Sequence, residues 1–158
     1  MKKEDRQRFT LRISQANSTE LVVILYEMLL CYLEDAVDAL QAEETEDFKS
    51  AVRKARGCLN ELMESLNLKY QPAPDLLRLY IFCIRRLARG EVRRDAELIE
   101  EVKRVIVPLC DAYRQIAEQN SAGPVMGNSQ VVYAGLTYGR NSLTENMADQ
   151  GSNRGMFV

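Results

Sequence analysis

The densest apolar stretch of the chain runs Leu21-Val22-Val23-Ile24-Leu25-Tyr26, and apolar residues continue at close spacing to Ala42. At about 100° per residue, Glu20, Glu27, Glu34 and Asp38 fall into one narrow polar stripe, leaving apolar cover over roughly two thirds of the helix circumference. Asn17, with Glu20 three residues on, has the pattern of a capping box and sets the start of this first predicted helix. A helix so widely apolar either lies deep in the fold or awaits a partner. Tyr26, Leu30 and Leu33 are expected outside its central core stripe and are therefore candidates for a binding surface.

Glu43 to Asp47 form a polar connection, and a second helix is predicted from about Glu46 to Asn67. Phe48, Ala51, Val52, Ala55, Leu59, Leu62 and Leu66 recur there at i, i+3, i+4 spacing, with charged residues on the other faces. The prolines of Tyr70-Gln71-Pro72-Ala73-Pro74 push the preceding residues out of the helical region and mark a loop, and Pro74 suits the first turn of a third helix ending near Arg89. Gly90 loosens the chain, and Asp95 is placed to cap a fourth helix reaching about Gln119. Pro108 inside it predicts a kink.

From Asn120 the periodicity stops: residues 120–158 hold six of the eight glycines and only four charged residues, a loop-like tail. The organisation expected is therefore all-α, with an N-terminal arm (1–16), a bundle of four helices (17–119) and a Gly-rich C-terminal tail (120–158). The tail still contains an apolar, aromatic island of Val131, Val132, Tyr133, Leu136 and Tyr138.

Composition narrows the chemistry. The chain has 158 residues, a formal charge of −2 and no histidine, which removes the commonest general base and metal ligand. Neither a Gly-rich phosphate loop nor a nucleophile elbow occurs, so neither catalysis nor a metal or cofactor is expected. Cys31, Cys58, Cys83 and Cys110 fall one to each predicted helix without a Cys-x-x-Cys, and are expected as small buried hydrophobes. The charged N-terminus lacks a following apolar run, and Glu27 and Glu34 interrupt the most apolar segment. A cytoplasmic protein without membrane insertion is expected.

On the third helix, Leu79 and Phe82 project away from the core face, among Arg78, Arg85, Arg86 and Arg89. Apolar residues ringed by arginine suit a protein partner, and packing beneath the tail or the arm is the alternative. Read alone, the arginines also suggest a phosphate-binding patch. The overall acidity and the lack of any nucleic-acid motif argue against nucleic acid as a partner.

Three elements carry a family resemblance: Thr-Glu-Leu-Val-Val-Ile-Leu-Tyr-Glu at 19–27, Ala-Val-Arg-Lys-Ala-Arg-Gly-Cys-Leu-Asn-Glu-Leu-Met-Glu-Ser-Leu-Asn at 51–67, and Leu-Leu-Arg-Leu-Tyr at 76–80. In order and spacing they resemble the flagellar export chaperones of the FliS family over about residues 10–118. The resemblance implies an antiparallel four-helix bundle that binds the C-terminal segment of flagellin in the cytoplasm. It also implies prevention of premature polymerisation and delivery of the subunit to the flagellar type III export gate. A partner segment that folds on binding would cover the surplus apolar surface. The family's N-terminal segment can lie over part of the client groove, a role expected here of Phe9, Leu11 and Ile13. The client surface itself is expected to include Tyr26, Leu30, Leu33, Leu79 and Phe82. Two rival readings stand beside this one: a bundle whose apolar faces serve self-association as a homodimer, and an RNA-binding bundle.

The apolar island of the tail is expected to dock on the bundle and compete with the client. Residues 121–128 form a short tether, which sets an effective concentration of roughly millimolar order. Removing everything after Asn120 is expected to tighten binding of a flagellin C-terminal peptide, with Tyr133→Ser plus Leu136→Ser recovering part of the gain. Unchanged affinity in a peptide titration would reject competition, and weaker affinity would make the tail part of the client's surface.

Overall fold

A computed structural model of the chain describes residues 1–121. These residues form five helices and, among themselves, no strand: α1 (Lys3–Gln15), α2 (Ser18–Gln41), α3 (Thr45–Glu64), α4 (Ala73–Arg93) and α5 (Ala96–Ser121). The tail residues Val131, Val132, Tyr133, Leu136 and Tyr138 lie outside the described residues.

The arm is itself a helix, which makes one more than the sequence pattern predicts. Its apolar residues follow the helical period rather than an alternation: Phe9 is buried and Ile13, four residues on, packs against the main core, whereas Leu11 is 61% exposed. Leu11 therefore leaves the covering set expected of Phe9, Leu11 and Ile13, because a helix turns it about 200° away from Phe9.

The chain then reverses at Ala16, and α2 opens on the expected capping box. The Glu20 N–H donates to Asn17 Oδ1 at 2.9 Å, and the Asn17 N–H donates to Glu20 Oε2 at 3.0 Å. At its other end Glu43 takes a left-handed conformation (φ 60°). This lets the Glu44 N–H reach back to the Ala39 carbonyl at 2.9 Å and the Glu43 N–H to that of Leu40 at 3.2 Å, closing the helix as glycine usually does. In α3, Phe48, Ala51, Val52, Ala55, Leu59 and Leu62 are buried, as their spacing predicts. That helix stops at Glu64 rather than near Asn67.

Gly90 does not end α4, which continues to Arg93. A Cβ at Gly90 would stand 3.0 Å from Ile99 Cδ1 and 3.3 Å from Leu98 Cβ. The missing side chain is thus a matter of close approach between α4 and the start of α5. Asp95 caps α5, accepting from the Glu97 N–H at 2.9 Å, and the helix passes through Pro108 without a break. Pro108 cannot bond the Arg104 carbonyl, but both residues are exposed, so water can satisfy that group.

Around one core, α2 packs against α3 and α5, α4 packs against the same two helices, and α1 packs against α2. At its centre the Tyr26 ring lies 6.4 Å from that of Tyr80 and 5.7 Å from that of Tyr113, centroid to centroid. The Tyr26 and Tyr80 hydroxyls hydrogen-bond to each other, one donating and the other accepting, so neither phenol oxygen enters the core without a polar partner. Among the described residues no helix is long and apolar enough to cross a membrane.

Two glycines separate propensity from packing. Gly57 is exposed on α3 with nothing within 4 Å of an added Cβ, so Gly57→Ala is expected to stabilise by up to about 1 kcal/mol. Gly90→Leu overfills the α4–α5 contact and is expected to cost about 1–3 kcal/mol. Denaturant unfolding of the two variants checks both signs.

Candidate functional site

The sequence-predicted client residues do not form one surface. Tyr26 and Leu33 are fully buried in the core, Leu30 is half-buried, and Leu79 and Phe82 are exposed on α4 (37% and 38%). The expectation that Tyr26 and Leu33 stand outside the core stripe is corrected. α2 has neighbours on more than one side, so a residue away from its stripe centre meets α5 or α4 instead of solvent. Because α2 and α4 each pack between α3 and α5, their outer faces point to opposite sides of the molecule.

On the α2 side the outer face is covered by α1. Two ion pairs fix its direction: the N-terminal ammonium of Met1 meets Asp35, and Arg12 meets Glu27. As α1 advances, its partners on α2 recede, so α1 runs back along α2. Phe9 enters between the two helices (3% exposed). It lines a depression with Arg8, Arg12, Leu30, Cys31 and Arg114. The guanidinium carbons of Arg8 and Arg12 lie 5.4 and 5.8 Å from its ring centroid. Phe9 is buried yet stands outside the main core cluster, so α1 seats this ring beside the core rather than in it.

The polar stripe of α2 holds its neighbours. Glu27 accepts from Arg12 of α1 and, at 3.1 Å, from Arg114 Nε of α5, while Glu34 pairs with Lys103 at 3.2 Å. The sequence pattern alone assigns no partner to Glu27 or Glu34 and does not single out Arg12, Arg114 or Asp35. The available signal is the Phe9–Ile13 spacing, which has the helical period and points α1 at this stripe.

The opposite face belongs to α4. Leu79, Ile81 and Phe82 are exposed there, with Arg86 held to Glu101 of α5 at 3.1 Å and its guanidinium carbon 5.0 Å from the Phe82 ring centroid. Leu79 and Phe82 thus keep the surroundings expected from sequence but share no surface with Leu30.

The cysteines are all free, and Cys58, Cys83 and Cys110 are buried. Burial pushes the thiols of Cys58 and Cys83 up to about 12 and that of Cys110 to about 11. These groups stay protonated and unreactive at neutral pH. Cys31, half-buried beside Phe9, is also raised, first by burial and then by Glu34, Asp5 and Asp35. Among the described residues no three acidic or cysteine side chains are grouped to hold a metal.

A family model described as "Flagellar protein FliS" matches residues 1–120, a span that includes the whole of α1. The flagellar secretion chaperone FliS of Bacillus subtilis (strain 168) is 24% identical over 103 residues, covering 65% of this chain and 77% of that protein.

If Phe9 is the plug that covers Cys31, Phe9→Ala is expected to speed labelling of one thiol per chain by a maleimide or an aromatic disulfide. Cys58, Cys83 and Cys110 should stay slow. Labelling followed by peptide mass mapping identifies the thiol; an unchanged Cys31 rate would mean that the rest of α1 provides the cover.

Proposed function

The chain belongs to the flagellar protein FliS family, and from that premise we propose that it is a cytoplasmic, non-enzymatic secretion chaperone whose client is the C-terminal segment of flagellin. It keeps newly made subunits from polymerising prematurely and brings them to the flagellar export gate. The name of the Bacillus subtilis relative, a flagellar secretion chaperone, supports the same reading. We read the architecture as an antiparallel four-helix bundle over 17–119, with 1–16 as arm and 120–158 as tail. The connections of three residues between α2 and α3 and two between α4 and α5 favour antiparallel neighbours.

The observation that carries the proposal is that an apolar face of α2 is covered by a helix with few attachments. Only one α1 side chain, Phe9, is buried. Burying it contributes about 1.5–3 kcal/mol, the half-buried Ile13 on the edge of the core adds a fraction of that, and partly exposed ion pairs such as Arg12–Glu27 add about 0–1 kcal/mol each. Detaching α1 therefore costs a few kcal/mol, far less than unfolding the core. A client helix that presents its own apolar side chains to Leu30 and Cys31 replaces what Phe9 supplies and adds further contacts along α2 and α5. In this reading α1 prevents the face from being exposed while no client is bound, and the client supplies the free energy of exchange.

Only the fraction of molecules with α1 detached can bind at once, so α1 lowers the apparent affinity by that fraction. A chain beginning at Asn17 is expected to bind a flagellin C-terminal peptide more tightly, by roughly ten- to a hundredfold, as measured by titration calorimetry. Weaker binding would make α1 part of the client's surface. Unchanged affinity would move the client to another face.

A further inference from the structure

The outer face of α4 is unaccounted for by a client that replaces α1, since it points to the other side of the molecule. It is also charged oppositely to the chain as a whole. Against a net charge of −2 overall, α4 carries five arginines and two acids. Both acids are neutralised from within the protein: Asp75 by Arg78 at 3.4 Å and Glu91 by Arg56 of α3 at 3.6 Å. Arg86 is occupied by Glu101. Arg85 and Arg89 are exposed and make no ion pair with any described residue.

With Phe82 and Val92 they form a stripe at positions 82, 85, 89 and 92, spaced three and four apart along one side of the helix. Leu79 and Ile81 flank it, each 37% exposed. The stripe from Phe82 to Val92 extends about 15 Å. Unpaired guanidinium groups alternating with exposed apolar side chains attract a surface on which carboxylates alternate with apolar side chains in the same way.

We propose that the outer face of α4 is a second docking surface, and that its occupant is an acidic amphipathic helix of a protein other than the client. Leu79, Phe82 and Val92 meet the apolar side of that helix while Arg85 and Arg89 pair with its carboxylates. A single-stranded nucleic acid suits the face less well. Base stacking needs a free aromatic surface, and Arg86 already sits over the Phe82 ring. Leu79 and Phe82 then pass from the client surface expected from sequence to this second site, and client and second partner can be held together on opposite sides.

The test uses the full chain and three probes followed by fluorescence anisotropy. One is a synthetic amphipathic helix of about 16 residues, long enough to span the stripe, with leucine on one side and glutamate on the other. The second has lysine in place of glutamate, and the third is a single-stranded RNA of similar length. The glutamate peptide is expected to bind, and to bind roughly tenfold more weakly to the Arg85→Glu, Arg89→Glu double variant. The lysine peptide is expected to gain affinity for that variant. Both arginines are exposed and make no ion pair among the described residues, so the variant should fold, and its melting temperature verifies this. Arg53→Glu on α3 should change neither peptide's affinity. Insensitivity to the double variant, or RNA binding tighter than the glutamate peptide, would overturn the proposal. So would a matching loss of flagellin C-terminal peptide affinity in that variant, which would return this face to the client. Loss of a self-associated species in sedimentation, without any peptide binding, would give the face to a second copy of the chain.

Discussion

The structure depends on the burial of α2. Its apolar surface is too wide for one interface, and α3, α5 and α1 divide it among them. The core centres on Tyr26, Leu29 and Leu33, all fully buried, and hydrophobic burial there does most to hold the helices together. What remains of the circumference is the acidic stripe. Because it is so narrow, helices on both sides of it approach closely enough to reach the same carboxylates. Glu27 can therefore accept from Arg12 on one side and Arg114 on the other.

This arrangement makes the attachment of α1 different in kind from that of the other helices. α3, α4 and α5 each bury a continuous row of side chains in a shared core, so removing one exposes the others. α1 fully buries only Phe9, rests the half-buried Ile13 on the edge of the core, and otherwise relies on ion pairs at its margins. Partly exposed ion pairs contribute little net free energy and hold geometry more than they hold stability. Such an attachment, set in register by charge and by one buried ring, suits the exchange with a client proposed above.

Much of this is legible in the sequence, and the places where pattern and structure part have specific causes. The α2 capping box, the buried row of α3 and the Asp95 cap of α5 follow from local patterns that tertiary structure leaves unchanged. Gly90 has the pattern of a terminator because glycine weakens helices, but its reason is the approach of Ile99 and Leu98, which is invisible without the partner helix. Tyr26 and Leu33 look like surface residues on a helical wheel because a wheel gives angles and no neighbours. Whether a residue well off the stripe centre is exposed depends on how many helices surround it. The arm is ambiguous because Phe9, Leu11 and Ile13 fit a period of two as well as Phe9 and Ile13 fit one of 3.6. Only the burial of Phe9 and exposure of Leu11 separate the two.

The same reasoning explains why α2 and α4, both carrying apolar residues beyond the core row, end differently. On α2 the polar residues between the extra apolar ones are acidic, and α1 offers Arg12 and the terminal ammonium as well as Phe9, so the chain covers itself. On α4 they are arginines, and no described helix presents a carboxylate row to them; Glu101 reaches only Arg86. Covering the α2 face needs both apolar and charge complementarity, and α4 lacks the second from within the described residues. A surface left open for want of matching charge, rather than for want of apolar contact, selects its partner by charge first and packs with it afterwards.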